Sequence, residues 1–414
     1  MRLVYKFDNY ENNKRLLELC RFSKDLYNQA LYIIKSNLKE NKFLFYEDMN
    51  KILQRTPNLD GEINYRKLKA QVSQQCLKNL DKNIKSYFKS IKDYSKNKSK
   101  YNGMPRLPKF LDKNGFYQLI YPNQSSSIKN GKIYFAKDLS ISVPQWDKYK
   151  ERIKNFNQIR VNPKDGYTEI EIIYETNDCI NNDLDYCSFS SIDLGLNNLV
   201  TMVNDFGNPI IYSGKQIKSK NRYFNKILSK KKSILETNNK KKNSKQIKLL
   251  WDKRNKQMND MFHKVSRHIV NILLQNKVGN LIIGYNSGWK DSIGIGKVNN
   301  QNFVMVSFEK LISFLKYKCD MVGIKLIKNE ESYTSKCDSL AMENICKNES
   351  YKGKRVKRGL FQSSVGKLIN ADVNGALNIM RKVVGNSKII SRITNSGWLF
   401  QPIKFNNLYC LNGC

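Results

Sequence analysis

The sequence is short of acids. Its 414 residues carry 36 Asp and Glu against 73 Lys and Arg, a net charge of +37. Such an excess strains a compact chain unless a polyanion offsets it, and nucleic acid is the usual one. A composition bias toward Lys, Asn, Ile and Tyr would not by itself leave the acids unmatched. The nine cysteines are scattered and odd in number, which argues against a disulfide framework and for a reducing, cytoplasmic compartment. No apolar run is long enough to cross a bilayer, so no membrane partner is expected. The opening "MRLVYKFDNYENNKR" has neither an apolar signal core nor a cleavage pattern. No repeat of solenoid length is visible. Histidine is scarce: His263 and His268 lie on a basic helix with no Cys or acid at ligand spacing, and they read as ordinary helix residues. "GIGKVNN" lacks the Gly and Lys-Ser/Thr spacing of a P-loop.

What is present divides along the chain. "RLVYKF" reads as an opening strand, and residues 11–98 as helices. "NNKRLLELCRFSKDLYNQALYIIKSNL" and "LKAQVSQQCLKNLDKNIKSYFKSIKDY" place apolar and aromatic residues at helical spacing with Lys on the other face. A solvated face is the ordinary reading of one such helix. Their number, and the interleaved Tyr and Phe, favour a nucleic-acid surface. "KNKSKYNGMPRLPKF" breaks the helices at Gly103, Pro105 and Pro108. "FYQLIYP", "GKIYFA", "LSISVP", "QIRVNP" and "TEIEIIYE" then have the spacing of a small β-barrel or open sheet.

From residue 186 the pattern changes. "SFSSIDLGLNNLVTMVND" reads as two strands about a tight turn, with "NPIIYSGK" as a third. A long basic stretch broken at "TNNKKKNSK" reads as a helical hairpin. "NLIIGYN", a helix closed by Gly323, "IKLIKNEESY" and a last helix opened by Asn370 and closed by Gly385 follow. This is the element order of an RNase H-like fold. Asp193 lies inside the apolar part of the first strand, where an unpartnered carboxylate is costly. A divalent metal would remove that cost, and Asp372 at the start of the last helix would face the same place. Alone, Asp372 reads equally well as a helix N-terminal acid.

"SIDLGLNNLVT", "ESYTSKC" and "NADVNGALNI", in that order, resemble the TnpB family of transposon-encoded RNA-guided nucleases, relatives of the miniature type V CRISPR effectors. "CRFSKDLYNQAL", "QVSQQCLKNLDK" and "MPRLPKF" are similar to that family as well. The resemblance implies an α+β multidomain chain: a RuvC-type nuclease domain with an RNase H-like fold, and an N-terminal β-barrel carrying a helical insert. The expected boundaries are 1–10 with 99–185 for the wedge-like barrel and 11–98 for the helical recognition domain. The nuclease domain would span 186–335 and 365–385, with a helical hairpin at 215–276. A basic insert at 336–364 and a tail at 386–414 complete the chain.

The resemblance implies a prokaryotic cytoplasmic endodeoxyribonuclease. Its partners would be a guide RNA and double-stranded target DNA, its cofactor Mg²⁺, two ions in number, and its state a monomer or homodimer. Nucleic-acid contacts would include Arg106, Lys109, Arg222, Lys230, Lys290, Arg355, Lys357 and Arg358. Two departures stand out. The family's second acid is a Glu at the end of the fourth strand, where this chain has Gly284. Glu331, or Glu330 beside it, would replace that acid from the fifth strand's end, joining Asp193 and Asp372 as metal ligands. Glu309 and Asp291 are weaker candidates, as a helix N-terminal acid and a loop residue. The second departure is zinc: Cys337 and Cys346 lack a second close pair, Cys410 and Cys414 are remote, and no zinc is expected. The rival readings are a nuclease-dead RNA-guided repressor, favoured by Gly284, and a plain basic RNA-binding scaffold.

Overall fold

The computed structural model describes all residues except 154, 177–182, 240–242, 287–300, 302–303 and 412–414. The chain forms two compact units, Met1–Asn177 and Asp178–Cys414. Among the described residues no helix is long and apolar enough to cross a membrane.

In the first unit, β1 (Arg2–Asn9) leads into α1 (Asn13–Lys39), α2 (Tyr46–Leu53) and α3 (Ala70–Lys96). α1 buries Leu16, Cys20, Tyr27, Ala30, Leu31 and Ile34, one stripe at helical spacing; α3 does the same with Val72, Cys76, Leu77, Leu80 and Ile84. The strands that follow are β2 (Leu119–Pro122), β3 (Ser127–Lys129), β4 (Lys132–Ala136) and β5 (Leu139–Ser142). After α4 (Trp146–Ile153) come β6 (Phe156–Pro163) and β7 (Thr168–Glu175). The strands whose spacing suggested a small barrel or an open sheet form, among the described residues, two sheets: a four-stranded one ordered β1-β7-β6-β2 and a three-stranded one ordered β3-β4-β5. They share one core, in which Ile133, Phe135 and Ile141 meet Leu119, Tyr121, Ile159 and Ile172. β3 is three residues long and the β4–β5 ladder slips register between Tyr134 and Ala136, so the smaller sheet ends early.

The second unit holds a six-stranded sheet. β8 (Asp185–Leu194), β9 (Asn198–Asn204) and β10 (Ile210–Ser213) form an antiparallel meander. α5 (Lys215–Asn239) and α6 (Lys245–Gln275) follow, then β11 (Val278–Gly284), α7 (Phe308–Val322) and β12 (Lys325–Asn329). β11 runs parallel to both β8 and β12. Every residue of β11 is buried, as the continuous apolar run of a covered parallel strand requires. Leu281 and Ile283 face α6 and α7, while Ile282 on the opposite face meets the last long helix, α8 (Ala371–Val384). Between β12 and α8 lie β13 (Lys354–Lys357), β14 (Leu360–Gln362) and β15 (Leu368–Asn370), a small antiparallel sheet absent from the sequence reading.

The tail after Gly385 holds a helix and a strand. α9 (Lys388–Asn395) packs Ile390 and Ile393 into the α8 core. β16 (Ile403–Phe405) adds to the sheet edge parallel to β10, giving the order β12-β11-β8-β9-β10-β16.

The 336–364 segment is organised by a carboxylate. Asp338 is fully buried, and its Oδ2 accepts from Ser363 Oγ (2.8 Å), Ser364 N (2.7 Å) and Ser364 Oγ (3.0 Å). Its Oδ1 accepts from Leu340 N (3.1 Å) and Ala341 N (3.3 Å). Buried charge is tolerated where donors surround it. Asp338→Ala will leave these donors unsatisfied and cost about 2–3 kcal/mol. Hydrogen exchange should then speed up around 338–341 and 363–364 while β8 and β11 stay protected; unchanged exchange there would refute the assignment.

Candidate active site

The site is built at the ends of β8, β11 and β12. Serines and apolar residues fill the largely buried "SFSSIDL", and Ser191 Oγ donates to Ala376 O (2.7 Å), fastening α8 against β8. Asp193 is the penultimate residue of β8. Part of its surface remains open, yet protein atoms surround the carboxylate densely. Burial raises its pKa well above the usual carboxylate range, and the negative charges of Glu331 and Asp372 raise it further; Arg355 works weakly the other way. α8 can pass this close because residue 375 is glycine: a Cβ there would lie 3.1 Å from Asp193 Oδ2.

Asp372 lies in the first turn of α8, where the helix dipole favours an anion. Asn370 caps that turn, its Oδ1 accepting from Asp372 N (2.9 Å) and Val373 N (3.3 Å). Asn198, from the "GLNN" turn into β9, donates its Nδ2 to Asp372 Oδ2 (2.6 Å). Arg355 Nη2 stands 3.7 Å from Asp372 Oδ1.

Gly284 ends β11 and pairs in register with Asn329, the last residue of β12. Two residues on, Glu331 turns back over that strand end. Its Oε2 lies 2.7 Å from where a Cβ on Gly284 would sit, and such a Cβ would also collide with Ile379 Cδ1 of α8. Asn286 frames the Glu: its Nδ2 donates to Oε1 (3.5 Å) and its Oδ1 accepts from Glu331 N (3.2 Å). Glu330 points elsewhere. It is exposed, pairs with Lys382 Nζ at 2.8 Å, and that lysine holds its carboxyl below the usual range.

Glu309 sits in the first turn of α7 and accepts a hydrogen bond from Tyr285. Asp291 and Lys290 lie outside the described residues. Arg106, Lys109, Arg222, Lys230, Arg355, Lys357 and Arg358 are all exposed; of these, Arg355 is the one that borders the carboxylates. His268 is buried with its Nδ1 2.7 Å from Tyr212 Oη, and His263 stacks on Phe314, where burial pushes its pKa down to about 4. Cys337 is buried, whereas Cys346 and Cys410 are exposed.

The sequence reading missed the polar stripe of α8. Asn374, Asn378 and Arg381 are buried and recur at helical spacing. Asn374 accepts from Ser339 N (3.0 Å) and donates to Cys337 O (2.9 Å). Asn378 donates to Thr334 O (2.9 Å) and Cys337 O (2.7 Å), and Arg381 to Glu343 O (3.0 Å). These bonds hold the chain that leaves Glu331. The signal was available in "NADVNGALNIMR": polar residues at positions 374, 378 and 381 recur at helical spacing among the apolar residues of this helix.

Among the described residues, no three metal-ligating side chains are drawn into a closed coordination cluster. Asp193 nevertheless feels both Glu331 and Asp372, and the donors are all carboxylate oxygens, the chemistry of a hard divalent cation. The strand order and the acid placement are those of a mixed α+β domain consistent with a RuvC-type nuclease.

Residues 174–290 match the family described as a probable transposase (OrfB_IS605), and residues 308–379 match the Cas12f1-like TNB domain. The chain is 25% identical over 205 residues to the TnpB-like protein ORF457 of Acidianus two-tailed virus, an alignment covering 47% of this chain and 42% of that protein. It is 24% identical over 290 residues to the CRISPR-associated endodeoxyribonuclease Cas12f2 of Micrarchaeota archaeon (strain CG1_02_47_40), covering 64% and 48%. It thus spans less than half the length of either relative. The fold is similar to that in a Cas12f1-sgRNA-target DNA complex (TM-score 0.56, 16% identity, covering 89% of this chain and 82% of that one). It is also similar to the mini-RNA-guided endonuclease CRISPR-Cas_phi3 (TM-score 0.51, 10% identity, covering 94% and 93%). These matches show the resemblance to the TnpB family that the motifs carry.

Two outcomes test this geometry. Gly284→Ala will cost about 1–3 kcal/mol by overpacking, and Ile379→Val in the same chain will recover part of the lost Tm; equal Tm values for wild type and Gly284→Ala would refute it. The second concerns pH. Asp193 has a folded pKa raised above its unfolded one, so its contribution to stability is full below the unfolded pKa and is lost as pH rises through the folded value. In EDTA at neutral pH, Asp193→Asn should therefore melt above the wild type, with the gap closing as the buffer is acidified. A variant that melts below wild type at neutral pH would contradict the stated crowding.

Proposed function

We propose that this chain is an RNA-guided DNA endonuclease in which Asp193, Asp372 and Glu331 hold Mg²⁺. The observation that carries the reading is Glu331 Oε2 at 2.7 Å from the absent Cβ of Gly284: the space of one missing acid is filled by another from the adjacent strand end. Bound Mg²⁺ would supply charge neutralisation at the phosphate and would lower the pKa of an attacking water, so that it gives up its proton more readily. The chain's own residues do the positioning. Asn198 and Asn370 fix Asp372 at the dipole of α8, Asn286 orients Glu331, and Gly375 leaves room for Asp193. Arg355 stands beside Asp372, where an incoming phosphate would exchange the carboxylate for itself as the guanidinium's partner. Glu330, tied to Lys382, serves the fold and not the metal.

Guide RNA and duplex DNA as partners are supported by the net charge, by a relative named an endodeoxyribonuclease, and by the fold shared with a complex of sgRNA and target DNA. A nuclease-dead RNA-guided repressor is the second reading, favoured by Gly284 and by the open arrangement of the acids. Plasmid cleavage by the protein with its native-locus RNA separates the two. Asp193→Ala and Glu331→Gln should each lower cleavage by at least about 100-fold, an order set by the loss of one positioned charge. Glu330→Ala should stay within about 3-fold of wild type. Tight guide-dependent binding without Mg²⁺-dependent cleavage would establish the repressor instead.

A further inference from the structure

A groove on the α5–α6 hairpin combines features the carboxylate site does not use. It encloses about 450 Å³ between one face of each helix, and its walls include Lys220, Tyr223 and Phe224 from α5 and Lys253, Arg254 and Gln257 from α6. The residues recur at helical spacing on both sides, so the groove follows from the packing of two straight helices. Tyr223 is 68% exposed, an aromatic ring left in water. Phe224, next in sequence, is buried and packs edge-on against Trp251 at 4.5 Å between centroids.

Arg254 is held rather than free. Its Nε and Nη2 donate to Asn221 Oδ1 (3.0 and 2.9 Å), and its guanidinium lies 5.6 Å from the Phe224 ring and 5.8 Å from Trp251. An immobilised guanidinium plane and an exposed phenol ring line one cavity, the two surfaces on which a nucleobase stacks. The surroundings are strongly cationic: α5 carries eight Lys and Arg against one Glu. A protein partner would have to be unusually acidic to sit there, whereas a phosphate backbone supplies one negative charge per nucleotide.

We propose that this groove binds an unpaired nucleotide of a single strand, stacking its base on Tyr223 beside Arg254 while Lys220 and Lys253 meet the flanking phosphates. Gln257 presents an amide to the base edge. The site is independent of the cleavage chemistry, since none of its residues belongs to the carboxylate cluster.

The test uses the full-length chain and short fluorescent single strands of RNA and of DNA, each also made with abasic positions that keep the sugar and phosphate. Tyr223→Leu should weaken binding of the intact strand about 5- to 150-fold, the range for one lost base stack. It should leave the abasic strand and the salt slope unchanged. Lys253→Ala should flatten the salt slope for both strands. A 4-thiouridine or 4-thiothymidine strand should crosslink to the peptide carrying Tyr223, and whichever polymer does so is the natural one. Equal losses for intact and abasic strands, or no loss at all, would overturn the proposal. So would a Tyr223→Leu variant that changes oligomeric state while binding both strands as before, because the groove would then be a protein contact.

Discussion

Like charges crowded together at the end of a sheet repel, and the second unit is arranged to hold them there regardless. Asp193 is densely enclosed, and that burial together with the field of two other carboxylates raises its pKa well above the usual carboxylate range. Nothing in an apolar strand recommends an acid at that position on stability grounds. What keeps it there is a frame that cannot easily relax: β8 between β9 and β11, with α8 fastened to it by Ser191 and thinned by Gly375. The fully buried β11 adds to that stiffness, since a strand covered on both faces has no soft direction in which to yield.

The same frame explains why the polar residues of α8 are so deeply buried. A helix that only had to cover a sheet would be apolar on its inner side. α8 instead carries Asn374, Asn378 and Arg381 against the carbonyls of residues 334–343, and Asp338 gathers the other end of that segment onto Ser363 and Ser364. Together these bonds fix the path of the chain immediately after Glu331. A carboxylate at a strand end is only as well placed as the loop behind it, and here α8 holds that loop at the carbonyls of Thr334, Cys337 and Glu343.

Legibility in the sequence followed the strength of local patterning. β8, β9, β11, α8 and the hairpin helices were readable because each has a long apolar period or a clear stop. Asp193 stood out as a charge within such a run. The small sheets were not readable: β3 and β13–β15 are three or four residues long, too short for a period to register, and they exist through pairing across the fold. β16 was missed for the same reason, because its three residues are a strand only beside β10. The choice between a barrel and open sheets was not readable, because spacing alone does not say whether neighbouring ladders join. Between Glu330 and Glu331 the family resemblance favoured Glu331 and the residues themselves left Glu330 open. Alternation past the end of β12 sends one toward Lys382 and the other over Gly284, and that direction is decided by tertiary packing.

An acid at the end of β11 and an acid just beyond β12 are neighbours in space, because parallel strands in register bring their ends together. Moving the carboxylate from one to the other keeps an oxygen near the same point while changing the strand that supplies it. The exchange has a steric condition: the vacated position must lose its side chain altogether. Glycine is the residue that meets it, since even a methyl group at 284 would meet both Glu331 and Ile379. Gly284 and Glu331 are in this sense one steric feature. Glycine in a strand interior is ordinarily a weakness. At the end of β11 it is the space into which Glu331 fits.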